Sequence, residues 1–180
     1  MMQLTLVTGN KHKLAEWQRI VPADIQLDTI DIDLDEIQSM DVEKIVADKV
    51  KRAYAAAGKP VVVEDVSAGL DNLGGLPGPF MKFFEKQLGK DALFQLAKHE
   101  GDPVTVRCGM AYYDGQSLIV VASKVPGRVA PASGENGFGF DYCFIPDGQN
   151  KTYAQMTAAE KDSVSHRGKA LAQLLEKLQP

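Results

Sequence analysis

VVVEDVSAGLDNLGGLPGP, which runs from Val61 to Pro79, is the stretch from which the fold can best be predicted. It opens with three consecutive β-branched residues, a run typical of a buried strand in a sheet that is covered on both faces. Glu64 and Asp65 follow directly, and α/β proteins usually bind ligands where such a strand ends. Because adjacent strand residues point to opposite faces, both acids reach one pocket only if the strand ends there. A solvated strand end is the other interpretation of this stretch alone.

The overall composition is that of an ordinary globular protein. The chain has 180 residues, of which 44% are hydrophobic and 24% charged, and its net charge is −4. We expect a single domain over residues 1–180, built as two lobes. The acidic balance argues against a nucleic-acid partner, and the longest apolar run, Leu118 to Ala122, is too short to span a membrane. Two distant cysteines and the lack of a leader pattern favour a cytoplasmic location.

The first candidate phosphate-binding element lies near the N-terminus. Residues 4–8 predict a strand, and Asn10 is a good N-cap for the amphipathic helix that follows. A strand that turns through glycine into a helix N-terminus is a common anion-binding geometry. Thr8, Gly9 and Asn10 offer small polar groups and N–H donors at this turn, and Lys13 supplies positive charge.

The next two elements add an acid and a lysine. Residues 25–34 alternate apolar and acidic side chains, which predicts a half-exposed strand, and Glu36 just after it is the acid best placed to bind a ligand. A helix is predicted from Asp41 to Ala57, with Gly58 as its stop. Lys49 lies on this helix, where a lysine usually faces solvent.

The second half of the chain carries a further cluster of cations. The elements predicted there are helices over 81–88, 91–99 and 163–178, a two-residue hairpin turn at Asp114-Gly115, and a strand over 142–145. Lys161, His166 and Arg167 lie near the N-terminus of the last helix. Cations at that end repel the helix dipole unless an anion neutralises them, so this cluster is a second sign of a phosphate site.

Cations and carboxylates from separate regions together predict a site for a metal-bound polyphosphate. The cations are Lys13, Lys82 beside the Gly/Pro loop, and the cluster at 161–167, whereas the carboxylates are Glu36 and Asp65 with its neighbour. Mg²⁺ prefers carboxylate and water oxygens and often bridges them to substrate phosphates. No histidine has a credible nucleophile and orienting group, so a covalent mechanism is not predicted.

Four blocks of sequence resemble the inosine/xanthosine triphosphate pyrophosphatases, a family that hydrolyses non-standard purine nucleoside triphosphates. The blocks are TGNKHK (8–13), VVVEDVSAGLDNLGGLPGPFMKFF (61–84), GENGFGFDYCFIPDG (134–148) and AAEKDSVSHRGKAL (158–171). Each block is weak alone, but they follow the family's order and spacing. The resemblance implies an elongated, two-lobed α/β fold around a long mixed β-sheet with flanking helices, a nucleotide cleft between the lobes, a homodimer and dependence on Mg²⁺.

The resemblance also implies roles for individual residues. Asp65 resembles the catalytic acid and, together with Glu36, a metal ligand. The implied substrate-binding residues are Thr8, Gly9, Asn10, Lys13, Lys49 and Lys82 for the phosphates, Phe138, Gly139, Phe140 and Asp141 for the base, and Lys161, His166 and Arg167 as a clamp.

Three positions depart from the family pattern and keep other interpretations open. Val66 replaces the usual serine or threonine, Ser133 a basic residue and Tyr142 a proline. The last two border the implied base pocket, so the preference among ITP, XTP and dITP is not predicted. One alternative is a pyrophosphatase for pyrimidine or other modified triphosphates. Another is a catalytically silent nucleotide-binding module, although every charged residue of the implied site is present.

Overall fold

The structure, a computed structural model, describes residues 2–179 and is organised around one mixed β-sheet. The strands are β1 Met2–Val7, β2 Ile25–Ile30, β3 Val61–Leu70, β4 Pro77–Gly78, β5 Pro103–Tyr113, β6 Leu118–Val129 and β7 Phe144–Pro146. Their order is β2-β1-β3-β5-β6-β7, with β4 paired to β3. Strand β1 pairs in parallel with β2 and β3, whereas the β3–β4 and β6–β7 pairs are antiparallel. The predicted α/β class and mixed sheet are confirmed.

Local signals in the sequence set the ends of the helices. The helices are α1 Lys11–Ile20, α2 Val42–Ala57, α3 Met81–Leu88, α4 Ala92–Gln95, α5 Ala158–Val164 and α6 His166–Leu178. The side chains of Asn10 and Asp41 cap α1 and α2, because each accepts two backbone N–H groups of the first turn. Gly58 ends α2 in the left-handed conformation, as predicted for a C-terminal glycine.

Strand β3 does not end at Glu64 and Asp65, and this part of the sequence prediction is wrong. The strand continues to Leu70 because Val66 is also β-branched and because β4 pairs with the second half of β3, at Ala68 and Gly69. A Cβ on Gly69 would lie 1.9 Å from the carbonyl oxygen of Gly75, so only glycine allows the Gly/Pro loop to fold back onto β3.

Three other predicted bounds are also corrected. Strand β2 ends at Ile30 rather than at residue 34, because its partner β1 ends opposite at Val7. The predicted helix over 163–178 is broken at Ser165, whose extended backbone (φ −75°, ψ 148°) separates α5 from α6. The segment predicted as a helix over 91–99 retains only α4, and Asp102 accepts the backbone N–H groups that follow it.

Two elements of the second half also shift. The hairpin between β5 and β6 has four connecting residues, not two, because the Asp114 carboxylate accepts the N–H groups of Gln116 and Ser117 and closes a wider turn. Strand β7 begins at Phe144 rather than at Tyr142, since residues 139–142 form a 3-10 helix.

The chain divides into two compact units, each with its own core. Unit 1 comprises the chain up to Asp65, Cys108–Ser123 and the chain from Arg167 onward, and unit 2 comprises Val66–Arg107 and Lys124–His166. In unit 1, α2 packs on β1 and β3 through fully buried valines such as Val46 and Val63. The core of unit 2 is richer in aromatic rings. The predicted nucleotide cleft stays a prediction.

Candidate active site

The predicted phosphate loop connects β1 to α1 and is already well ordered by its own side chains. The Asn10 backbone N–H donates to Thr8 Oγ1 at 3.1 Å, and Asn10 Oδ1 accepts from the N–H groups of His12 at 2.9 Å and Lys13 at 3.2 Å. A Cβ on Gly9 would lie 2.5 Å from a carboxylate oxygen of Asp31, which explains the glycine. Of the N–H donors predicted at this turn, that of Asn10 is therefore taken by Thr8, and that of Thr8 donates to the carbonyl of Ile30 at 3.0 Å.

Glu64 is the centre of a buried network in unit 1, whereas Asp65 is the acid to which the family resemblance gives the catalytic role. Its carboxylate accepts from Trp17 Nε1 at 2.7 Å and from Arg167 Nε and Nη2 at 2.8 and 2.6 Å. Lys13 Nζ lies 3.4 Å from the same carboxylate, and Arg167 also donates to Glu16. Thus two of the predicted phosphate ligands, Lys13 and Arg167, are brought together by one buried acid.

The charge of Arg167 is compensated inside the protein. Its side chain is 1% exposed, and burial lowers the pKa of its guanidinium to about 9, which leaves it cationic at neutral pH. The anion that the cation cluster was expected to require is therefore supplied, for this residue, by Glu16 and Glu64. Neither Glu16 nor Trp17 is among the residues that the sequence predicts for this site. The one available signal was a glutamate beside that tryptophan on a helix that begins at the phosphate loop.

The predicted metal ligands lie in the same unit. Lys49 Nζ contacts Glu36 Oε1 at 2.6 Å and the backbone carbonyl of Glu64 at 3.4 Å, so it links Glu36 to the stretch of β3 that carries Asp65. Because strand residues alternate, Glu64 points into the core whereas Asp65 lies half-buried on the opposite face. Within residues 2–179, no group of three or more His, Cys, Asp or Glu side chains is arranged as a metal site.

The donor set nevertheless suits the predicted cation. Glu36 and Asp65 supply hard carboxylate oxygens, and Mg²⁺ commonly takes only one or two protein carboxylates, with water and phosphate oxygens completing its shell. In this structure the Lys49 ammonium group contacts the Glu36 carboxylate. A bound cation would displace it from that carboxylate, and Lys49 could then contact a phosphate. The residues present therefore fit Mg²⁺.

A second set of predicted residues comes together in unit 2. Asp141 is buried, and its carboxylate accepts from Lys161 Nζ at 2.6 Å and from the Phe138 backbone N–H at 3.0 Å. Lys161 Nζ lies 5.3 Å from the ring centroids of both Phe138 and Tyr153, a cation–π arrangement. The arrangement anchors a buried ammonium group beside an aromatic ring.

The remaining predicted residues of unit 2 pack around this pair or lie apart from it. The His166 ring centroid is 5.7 Å from that of Phe140. Gly139, with φ 62°, forms the turn into the 3-10 helix that carries Phe140 and Asp141. Lys82 lies on the exposed face of α3, with Nζ 5.3 Å from the ring of Phe83, so its assignment to the phosphates rests on the sequence alone.

The three departures from the family pattern all have structural partners. Val66 packs against the apolar core of unit 2. Ser133 Oγ accepts from Gln155 at 2.8 Å, and the Tyr142 hydroxyl donates to the carbonyl of Gly137 at 3.2 Å. Ser133 and Tyr142 therefore hold the two ends of the glycine-rich loop that precedes the 3-10 helix.

Comparison with known proteins gives one consistent result. The model of the Ham1 family matches residues 4–177. A protein named inosine triphosphate pyrophosphatase from Phaeosphaeria nodorum is 39% identical over 96% of this chain and 92% of its own length. The protein of the same name from Schizosaccharomyces pombe is 35% identical over 99% of this chain and 96% of its own.

Solved structures agree with this result. A nucleoside-triphosphatase, dITP/XTP pyrophosphatase, from Mycobacterium abscessus superposes with a TM-score of 0.73 at 28% identity, covering 97% of this chain and 99% of that one. A HAM1 protein from Coxiella burnetii has a TM-score of 0.82 at 24% identity, with 99% of this chain and 98% of that one covered, and shows the shared fold.

Proposed function

This chain belongs to the Ham1 family, and from that premise we propose that it hydrolyses ITP, dITP and XTP to the nucleoside monophosphate and pyrophosphate. The observation that carries the proposal is the 39% identity to an inosine triphosphate pyrophosphatase over nearly the whole of both chains. The geometry of the two units supports it, because unit 1 collects cations and carboxylates and unit 2 collects aromatic rings around a buried lysine. The enzyme is a hydrolase that acts on an acid anhydride and clears non-standard purines from the nucleotide pool.

The residues of unit 1 bind the triphosphate in this proposal. The turn at Thr8, Gly9 and Asn10 faces the phosphates, and Lys13 and Lys49 neutralise them, with Lys82 and Arg167 as the further cations assigned by the sequence. Glu36 and Asp65 would hold Mg²⁺, which when bound draws negative charge from the phosphate oxygens. The buried Glu64 keeps Lys13 at the end of the loop, since the two groups lie 3.4 Å apart.

Asp65 is the general base in this proposal. It positions a water molecule and takes its proton as the water oxygen attacks the α-phosphorus; the bond between the α-phosphorus and the bridging oxygen breaks and pyrophosphate leaves. Glu64 cannot share this task, because Trp17 and Arg167 already occupy its carboxylate oxygens and its side chain is buried. Preorganised cations supply most of the remaining stabilisation of a phosphoryl transition state.

The residues of unit 2 bind the base. Phe138 or Phe140 stacks on the purine, while Asp141 and the backbone groups around Gly139 contact its edge. Lys161, His166 and Arg167 complete the clamp assigned by the sequence. A site that pairs with a 6-oxo purine rejects analogues that leave its buried polar groups without partners. This is the basis for expecting ITP and XTP to react faster than ATP.

A panel of nucleoside triphosphates with product analysis tests the proposed function. We expect ITP, dITP and XTP to be hydrolysed with Mg²⁺ at least tenfold more efficiently in kcat/KM than ATP, with pyrophosphate as the second product; roughly 1.4 kcal/mol of discrimination suffices for that factor. Release of orthophosphate, or equal rates on ATP and ITP, would contradict the proposal. Faster turnover of a pyrimidine triphosphate would favour the first alternative, and binding without turnover would favour the silent module.

We also propose that the protein is a cytoplasmic homodimer without membrane or nucleic-acid partners. Two buried free cysteines, Cys108 and Cys143, suit a reducing compartment. No helix in the described part of the chain is long and apolar enough to cross a membrane. The dimer is supported by large apolar side chains that stay exposed between residues 73 and 88, which are Leu73, Leu76, Phe83, Phe84 and Leu88. Such exposed groups often mark a protein–protein interface.

Replacing Phe83, which is 57% exposed, with glutamate is expected to convert the dimer to a monomer. A charge at the centre of an apolar interface loses its water without gaining a partner. Light scattering coupled to gel filtration measures the change. Leu118→Glu is the matched control, since Leu118 is also an exposed apolar residue but belongs to unit 1. A wild-type monomer would contradict the dimer itself, and a dimeric Phe83→Glu protein would contradict this location of the interface.

A further inference from the structure

Glu85 is a half-buried carboxyl on α3 that contacts the segment 138–141 and that the proposed mechanism does not use. Helix α3 packs against the 3-10 helix of that segment. A Cβ on Gly139 would lie 2.9 Å from Glu85 Oε1, so the carboxyl rests directly against the glycine backbone. The Phe140 backbone N–H donates a hydrogen bond to the same carboxyl. One side chain therefore contacts two consecutive residues of the proposed base-binding segment.

We propose that Glu85 is a positioning residue for nucleotide binding, whose carboxyl holds segment 138–141 in the conformation that receives the base. The inference rests on the proposed function, because the segment matters for affinity only if it binds the base. Glu85 itself does not contact the nucleotide in this account. It acts through the backbone of Gly139 and Phe140, and a lysine or an alanine in its place would leave the Phe140 N–H without its acceptor.

The protonation state of Glu85 follows from its surroundings. Burial first, and the negative charge of Asp141 second, raise the pKa of the Glu85 carboxyl to about 7, and the Phe140 hydrogen bond opposes the rise. Strand β4 and helix α4 carry no ionisable side chain. The other charged or titratable groups on or near the elements packed against α3 are Asp141 with its partner Lys161, Tyr142, Cys143, Lys90, Asp91 and, on α3 itself, Lys82 and Lys86.

The sign of the pH effect is determined by this upward shift. A carboxyl whose pKa is raised on folding binds more protons in the native state, so stability falls as pH rises from about 4.5 to about 7. Above pH 7 the ionised Glu85 places a second negative charge near Asp141 and loosens the hold of α3 on the segment. Nucleotide affinity is therefore expected to fall as pH rises through about 7, where the native carboxyl ionises.

Comparing wild type with Glu85→Gln between pH 6 and pH 8 tests the inference. Glutamine keeps an acceptor for Phe140 but does not ionise. We expect the ratio of KM for ITP, wild type over variant, to rise from about 1 at pH 6 to roughly three- to tenfold at pH 8, with the kcat ratio within about twofold throughout. The ratio is the informative quantity, because a phosphate group also titrates in this range, with a pKa of about 6, and affects both proteins equally.

A control variant and a measurement that does not depend on turnover test the role of Glu85 separately from the proposed function. Glu135→Gln makes the same change at an exposed carboxyl of unit 2 and should leave the KM profile unchanged. The free energy of unfolding of wild type, taken relative to that of Glu85→Gln, should fall as pH rises towards 7, because only the wild-type carboxyl ionises. A flat KM ratio, a change confined to kcat, or a stability difference that does not change with pH would overturn the inference. Absence of all triphosphate turnover in wild type would instead overturn the proposed function and leave the stability difference to judge Glu85.

Discussion

Replacing Arg167 with methionine is expected to lower the free energy of unfolding by about 3–5 kcal/mol, because it leaves two buried carboxylates without their cation. The guanidinium of Arg167 donates to Glu16 and Glu64, and all three side chains are less than 8% exposed. Methionine occupies a similar volume, so the loss reports the uncompensated charge rather than a cavity. Since small domains are stable by only about 5–15 kcal/mol, urea titration should show a large shift of the midpoint.

Two matched variants separate this charge effect from other causes. Arg52→Met removes an exposed arginine whose ion pair with Asp48 spans one helical turn, and it should leave the urea midpoint almost unchanged. Adding Glu16→Gln and Glu64→Gln to Arg167→Met removes the two stranded charges and should recover at least about half of the lost stability. If Arg167→Met were as mild as Arg52→Met, the buried network would not be what stabilises unit 1. If the triple variant recovered nothing, packing rather than charge would explain the loss.

Arg167 also shows what the sequence could not predict. The sequence predicts that Arg167 lies at a helix N-terminus, and the helix dipole there predicts that it needs an anion. The sequence does not predict which anion, since Glu16 lies 151 positions and Glu64 103 positions away along the chain. Pairing at that distance depends on tertiary packing, about which a single sequence carries no local signal. In the structure Arg167 is paired with two carboxylates of the protein itself, and its assignment to the phosphates stays a prediction.

The elements that were predicted correctly have short-range causes. Helix α2 is bounded by the Asp41 cap and the Gly58 stop, both adjacent to the helix they define. The order of the phosphate loop likewise follows from Asn10, which accepts N–H groups two and three residues further along the chain. By contrast, the prediction that β3 ends at the acids is wrong. The second half of β3 is extended by its pairing with β4, and a strand of two residues is too short to be recognised in the sequence.

In unit 2, too, the sequence identifies a charged residue but not its partner in the folded chain. Lys161 was expected to act on phosphate because it stands with other cations in the sequence, yet in the structure it is buried against Asp141 and two aromatic rings. Its partner belongs to the block that the family resemblance had assigned to the base. The resemblance thus placed Lys161 and Asp141 among the binding residues, and the structure adds that they form one ion pair.

Replacing Asp65 with asparagine is expected to reduce kcat for ITP by about a thousandfold or more while the protein stays folded. Removal of a general base typically costs a factor of 10²–10⁴, and asparagine can neither take the proton of the attacking water nor serve Mg²⁺ as a charged ligand. Asp65 is half-buried, so the urea midpoint of unfolding should shift less than in Arg167→Met. Binding of ITP, measured by titration calorimetry, should stay within about threefold of wild type, because the cations of the phosphate site are unchanged.

The adjacent acid provides the contrast that assigns the two roles. Glu64→Gln removes the charge that Arg167 and Lys13 both contact, so it should lower stability by several kcal/mol, as expected when one member of a buried ion pair is lost. Its kcat, corrected for the folded fraction, should fall far less than that of Asp65→Asn. Of these two neighbouring carboxylates on β3, the loss of Asp65 would then lower mainly kcat and the loss of Glu64 mainly the free energy of unfolding. Full activity of Asp65→Asn would remove Asp65 from the mechanism, and a stable but inactive Glu64→Gln protein would transfer the role of base to the buried acid.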